Sequence, residues 1–218
     1  MNTATAGIAI SAPTDIVFPG DDDELDVIFD RRTLKLIGSV HRRFWEKRRA
    51  MLQDRAIGED LSVLSIGDGL PVTPAIQPTV ECGDVIADLR ARDHSWNARL
   101  EEYLLLQNRI ERQVPRVVPP VVRIRGWEHT EAGLLVDGRS VPGCIVDIAV
   151  ALSFGADLFR QGEQAFVFDI PEAADPLEAQ LWADLFSLAQ DRNGIERGTV
   201  LFGTVRASTS NRRELAVA

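Results

Sequence analysis

Apolar residues recur at helical spacing from about Thr33 to Ala56, where Ile37, Val40, Phe44, Met51 and Leu52 predict a helix with one buried face. The pattern then dissolves between Gly58 and Gly83 into Gly67, Gly69, Pro71, Pro74 and Pro78, which reads as loop with short strands. Asp84–Asp88 is a brief apolar strand, and Ser95–Val114 a helix on the stripe Trp96, Leu100, Leu104 and Ile110. Val117–Arg125 is the next strand, with Pro119-Pro120 at its entrance, where a missing donor is tolerated. Asp137-Gly138, set between Leu134-Leu135-Val136 and Arg139-Ser140-Val141, predicts a tight hairpin, because that turn needs positive φ at both central positions. A third helix runs from Cys144 to Phe159, followed by a strand over Ala165–Ile170. Asp175-Pro176-Leu177-Glu178 marks a capped helix start, continued by Leu181, Leu185 and Leu188 and stopped at Asn193-Gly194. Thr199–Val205 makes a last strand.

Strands alternating with helices favour parallel pairing through crossover helices. Three or four of these strands can join one parallel sheet, whereas a closed eight-stranded barrel takes about 250 residues. The chain has 218. Hydrophobic residues at 45% and charged residues at 26% give ordinary globular composition. Lys and Arg number 24 against 33 Asp and Glu, a net charge of -9 that argues against nucleic acid as a partner. Cys82 and Cys144 are too few for a disulfide scaffold, no apolar run nears the roughly 20 residues that span a bilayer, and Met1–Ala6 carries no signal-peptide pattern. These features predict a cytoplasmic protein without a membrane partner.

Residues that carry chemistry are few. His41, His94 and His129 have no metal-site spacing, and His41, among basic residues on a helix, is expected at the surface. Asp21-Asp22-Asp23-Glu24 reads as a solvated block, and Arg42, Arg43, Lys47, Arg48 and Arg49 as the wet face of the first helix. Gly67-Asp68-Gly69 lacks the third glycine and the helix of a phosphate loop. Ser65, Ser95 and Ser153 lack a nucleophile elbow, and Cys82 has no close basic neighbour to activate it. The stretch Arg123-Ile124-Arg125-Gly126-Trp127 stands apart. Two arginines at alternate strand positions point the same way and can hold a carboxylate or an oxyanion, and Gly126 permits close backbone approach. A salt-bridged edge strand is the competing reading of the same residues.

Arg123-Ile124-Arg125-Gly126-Trp127, followed by Glu128 and His129, resembles the Arg-Pro-Arg-Gly-Trp-His strand end of malate synthases of the shorter, plant type. The likeness extends to Leu135-Val136-Asp137-Gly138 with Val141-Pro142-Gly143, to Leu181–Phe186, and to Ala189–Arg192 with Gly194–Thr199. Upstream, His41-Arg42-Arg43-Phe44 with Arg48-Arg49 is similar to the family's N-terminal helix, and Ile86-Ala87-Asp88 with Trp96 to its first barrel strand and turn. The resemblance implies an α/β fold, an incomplete TIM (β/α)8-type barrel with an N-terminal helix and a small inserted β-hairpin. It divides the chain into a flexible acidic leader (1–28), a helical segment (29–60), a partial barrel (61–207) and a polar tail (208–218). It also implies Claisen condensation of acetyl-CoA with glyoxylate, with Mg²⁺ polarising the carbonyl, an arginine stabilising the developing oxyanion and a distant Asp as base. Arg123 best matches that arginine and Arg125 is second; Arg123, Arg125, Gly126 and Trp127 are the implied substrate contacts.

The departures from the family pattern are chemical. Its Asp-Phe-Glu-Asp cluster stands here as Asp88-Leu89-Arg90-Ala91, its Leu-Pro-Lys stretch as Ile170-Pro171-Glu172, and its Leu-Ile-Glu-Thr metal strand aligns with Ala207-Ser208. No metal ligand is therefore assigned. Magnesium needs several oxygen ligands, and an unclosed barrel leaves strand edges unpaired. The expectation is a truncated malate synthase-like pseudoenzyme, not competent alone and with no cofactor of its own. One alternative is a subunit of a split acyl-CoA condensing enzyme, with Mg²⁺ and acetyl-CoA bound only once a complementary barrel subunit or another copy completes the site. A second is a non-catalytic adaptor or regulator using the basic helix.

Overall fold

Local signals set the elements of the computed structural model, which describes residues 16–17, 25, 28–62, 79–90, 95–112, 118–207 and 213–217. The first helix, α1 (Arg31–Ser62), buries Leu34, Ile37, Val40, Phe44 and Met51. Helix α2 (Trp96–Glu111) starts where the Ser95 hydroxyl accepts from the Ala98 N–H at 3.2 Å. Helix α3 (Gly143–Arg160) is buried on most sides. Helix α4 (Pro176–Asn193) opens on Asp175, whose carboxylate accepts from the Glu178 N–H at 2.9 Å, and closes on Gly194 at φ 64°. These are the predicted cap and stop.

Among the described residues six strands form one sheet: β2 (Thr79–Cys82), β3 (Val85–Asp88), β4 (Val121–Arg123), β7 (Val167–Asp169), β8 (Phe202–Ala207) and β9 (Arg213–Val217), in the order β2-β9-β8-β7-β4-β3. The four strands β3, β4, β7 and β8 pair in parallel, as the alternation of strand and helix predicts. A separate three-stranded sheet joins β1 (Ile16–Val17) to the hairpin β5 (Thr130–Val136) and β6 (Arg139–Pro142). Its turn residues, Asp137 at φ 52° and Gly138 at φ 72°, adopt the conformation the Asp-Gly signal requires. Helix α1 packs on α3 and α4, closing over a core that includes Phe44, Trp127, Trp182, Phe168 and Phe186.

The fold is α/β with a parallel sheet, an incomplete barrel rather than a closed eight-stranded one. Three details differ from the sequence reading. Within the leader, Ile16–Val17 pairs with β5, and Leu25 and Ile28 are buried in the core. Within the polar tail, Arg213–Val217 forms β9, antiparallel to both β8 and β2. The edge of β8 that a short barrel was expected to leave open is therefore paired. Moreover, β2 and β3, the two outer strands, are halves of one segment joined through Gly83 and Asp84. The acidic block Asp21–Glu24, the Gly67-Asp68-Gly69 stretch, Ser65 and His94 lie outside the described residues.

Candidate functional site

Strand register builds the site. Asp88, Arg123 and Asp169 are the last residues of β3, β4 and β7, and the pairing sets them in one row, Asp88 beside Arg123 and Arg123 beside Asp169. Neighbouring strands lie about 4.8 Å apart, so in-register side chains on one face meet directly. Arg123 donates from Nε to Asp169 Oδ2 at 2.9 Å and from Nη1 to Asp88 Oδ2 at 3.3 Å. Burial alone would lower the Arg123 pKa, but the hydrogen bonds to Asp169 and Asp88 outweigh it and hold the guanidinium above its usual value. Asp169 is buried and its Oδ1 also accepts from the Val205 N–H at 3.0 Å. Arg90 completes the cluster. It donates from Nε to the Ile124 carbonyl at 2.8 Å, donates from Nη2 to the Asp169 carbonyl, and stands 3.3 Å from Asp169 Oδ1. Two guanidiniums thus face two carboxylates at the carboxyl ends of parallel strands, the edge where such sheets place their sites.

Arg125 goes elsewhere, which corrects the expected two-arginine clamp. Strand β4 ends at Arg123, so the alternation that would aim both side chains alike does not extend to Arg125. The Arg125 guanidinium is buried between helices, donating to Asp147 Oδ2 at 3.0 Å and Oδ1 at 2.7 Å and to Glu131 Oε2 at 2.8 Å. Tyr103 donates to Asp147 Oδ1 at 2.7 Å. Burial would lower the Arg125 pKa, but Asp147 reverses the effect and the group stays charged; burial beside Asp147 pushes the Tyr103 phenol well up. Gly143 makes room for this network, since a Cβ there would come within 2.6 Å of the Arg125 Cζ.

Trp127 is fully buried, its ring 5.0 Å from that of Trp182 and 5.9 Å from that of Phe44, while Gly126 lies against the Glu128 carboxylate. Neither joins the Asp88–Arg123–Asp169 row in any recorded contact. His129 Nδ1 pairs with Glu128 Oε1 at 2.9 Å on the surface. His41, expected at the surface, is 2% exposed, and neither ring nitrogen has a hydrogen-bond partner among the described residues. Within the basic segment, Arg48 is buried, donating from Nε to the Trp127 carbonyl at 2.6 Å, and Arg42 forks onto Asp137 at 2.7 Å. Cys82 and Cys144 are buried and not joined in a disulfide, and burial pushes the Cys144 pKa up.

Magnesium, which the resemblance implies, does not fit these side chains. Asp169 is held on both oxygens, Asp88 accepts from the Arg90 N–H at 3.2 Å and from Arg123, and two fixed guanidiniums repel a cation at this spot. Among the described residues no group of three or more His, Cys, Asp or Glu side chains is placed to hold a metal ion. Asp88, Asp169 and Arg90 are site residues that the sequence reading does not assign; for the two carboxylates a signal exists. The available signal was an Asp closing each of two predicted strand cores, Val85-Ile86-Ala87-Asp88 and Val167-Phe168-Asp169.

Comparison with known proteins bears on this geometry. Residues 120–212 match the family model for the malate synthase TIM barrel domain. The glyoxysomal malate synthase of Candida tropicalis is 29% identical in an alignment covering 82% of this chain and 42% of that protein. That of Ricinus communis is 32% identical over 43% of this chain and 17% of its own length, and that of Cucurbita maxima 36% identical over 36% and 14%. The chain spans less than half the length of these relatives. No described helix is long and apolar enough to cross a membrane.

Proposed function

We propose that this malate synthase-like chain does not by itself condense acetyl-CoA with glyoxylate, and that its strand-end site keeps only the anion-recognising half of the family's chemistry, the Arg123 guanidinium. The observation that supports the reading is that both Asp169 oxygens are engaged by fixed donors. A carboxylate that accepts on one oxygen from Arg123 and on the other from the Val205 N–H, with Arg90 3.3 Å away, is turned towards fixed donors, and its two guanidinium neighbours oppose both a bound cation and the uptake of a proton. Arg90 stands where the family carries a carboxylate, so the row is neutral where metal binding needs excess negative charge. Arg123 holds its charge at any working pH and presents a fork suited to a small carboxylate. Losing general-base catalysis alone costs about 10²–10⁴ in rate.

The split-enzyme reading is disfavoured by the pairing of β8. A parallel strand supplied by another chain would need the edge that β9 occupies. The decisive assay is release of free CoA thiol from acetyl-CoA and glyoxylate, with Mg²⁺, by the purified chain. No rate above the protein-free background is expected. Turnover that Arg123→Gln abolishes would overturn the proposal.

A further inference from the structure

The two carboxylates on Arg123 are unequal. Asp169 is 3% exposed, its oxygens committed on several sides, and it meets Nε at 2.9 Å. Asp88 lies on β3, its side chain 43% exposed, and meets Nη1 at 3.3 Å with a single hydrogen bond. Asp169 is a fixture of the sheet; Asp88 is a replaceable counterion. Exposed pairs of the second kind contribute little net stability.

The fork geometry gives the replacement a direction. With Nε on Asp169 and Nη1 on Asp88, Arg123 Nη2 has no hydrogen-bond partner recorded among the described residues. A free carboxylate docked on the Nη1–Nη2 edge would make two parallel bonds where Asp88 makes one, and bidentate pairing is the stronger mode. Asp88 has somewhere to go, because its Oδ1 is already held by the Arg90 N–H at 3.2 Å.

We propose that Asp88 is an internal occupant of the carboxylate site on Arg123, so that the resting site is self-occupied and its affinity for small carboxylates is set by how readily Asp88 is displaced. The inference rests on the reading of Arg123 as the anion-recognising group. Removing the Asp88 charge turns a neutral set of two guanidiniums and two carboxylates into one with a net positive charge, which attracts an anion and does so less at high salt.

The test is titration calorimetry with oxalate on the full chain, comparing wild type, Asp88→Asn, Asp88→Ser and Asp88→Asn/Arg123→Gln at two salt concentrations. At low salt Asp88→Asn is expected to bind oxalate at least about tenfold more tightly than wild type. Asp88→Ser should follow it, the gain should shrink at high salt, and the double variant should show no heat. Thermal melts establish that each variant is folded, and the serine variant carries the test if the asparagine one is not. Equal affinity in wild type and the folded Asp88 variants, or no binding in any, would overturn the inference. That outcome leaves the absence of turnover standing, whereas turnover by wild type would overturn the proposed function without touching the oxalate comparison.

Discussion

Arg125 and Arg123 sit two residues apart and do different work, and the difference is one of dielectric. Arg125 is buried with Asp147 and Glu131, so its charge is tolerable only because those carboxylates and Tyr103 satisfy one another. Arg125→Met leaves two buried carboxylates without their cation and should cost about 3–5 kcal/mol in urea denaturation. Arg125→Met with Asp147→Leu should recover part of that loss, since it also removes one stranded charge. A single-variant cost under about 1 kcal/mol would show that the network contributes nothing to the fold. Of the candidate site, Arg123 was legible in the sequence as the head of a motif at a strand end. Its partnership with Asp169 was not, because register between strands 46 residues apart is not written in local spacing. The expected arginine clamp failed for a related reason: alternation aims side chains only while the strand continues.

Elements with local punctuation were read from the sequence almost to the residue. The Asp175 cap, the Gly194 stop and the Asp137-Gly138 turn each have a backbone requirement that few residue types meet. Strands β1 and β9 escaped, and β2 was legible only as an unplaced short strand before Gly83, because each exists only through distant partners. The burial of His41 belongs to this same level, since it follows from how α1 docks on the β5–β6 hairpin. His41 is buried against the Trp45 ring, 5.3 Å away, with Asp137 and Arg139 of the hairpin and Arg42 and Arg48 of its own helix around it. Burial is the main cause that lowers its pKa to about 4, against a partial counter-effect from Asp137. Folding therefore favours the neutral ring. The contribution is complete above pH 6.5, the unfolded value, and is lost as pH falls towards 4. Between pH 7 and pH 5 wild type should lose about 1–2 kcal/mol more stability than His41→Phe, after allowance for solvent screening. Denaturation curves at the two pH values measure this; parallel losses would show that α1 docks without regard to the charge on His41.

At the scale of the molecule the question is what covers the β8 side of the four parallel strands, since β2 and β3 stand outermost in the sheet. The pairing supplies the answer: β9 runs back along β8 and then takes β2 on its other side, while β2 continues through Gly83 and Asp84 into β3, the strand at the far edge. One antiparallel strand thus stands where a βα-barrel would place its next parallel one. Ala216 is the middle of this arrangement, paired with Thr204 of β8 and with Thr79 of β2. Proline at that position removes a backbone donor from a strand flanked on both sides, a place proline does not occupy in sheets. Ala216→Pro should destabilise the chain by about 1–3 kcal/mol and release the edge of β8. An unpaired edge beside apolar faces is a surface for pairing with another chain, so the variant should scatter more light than wild type at the same concentration. If the variant is as stable and as dispersed as wild type, β9 is not what protects the edge of β8, and that edge returns as a surface on which a complementary barrel strand can pair.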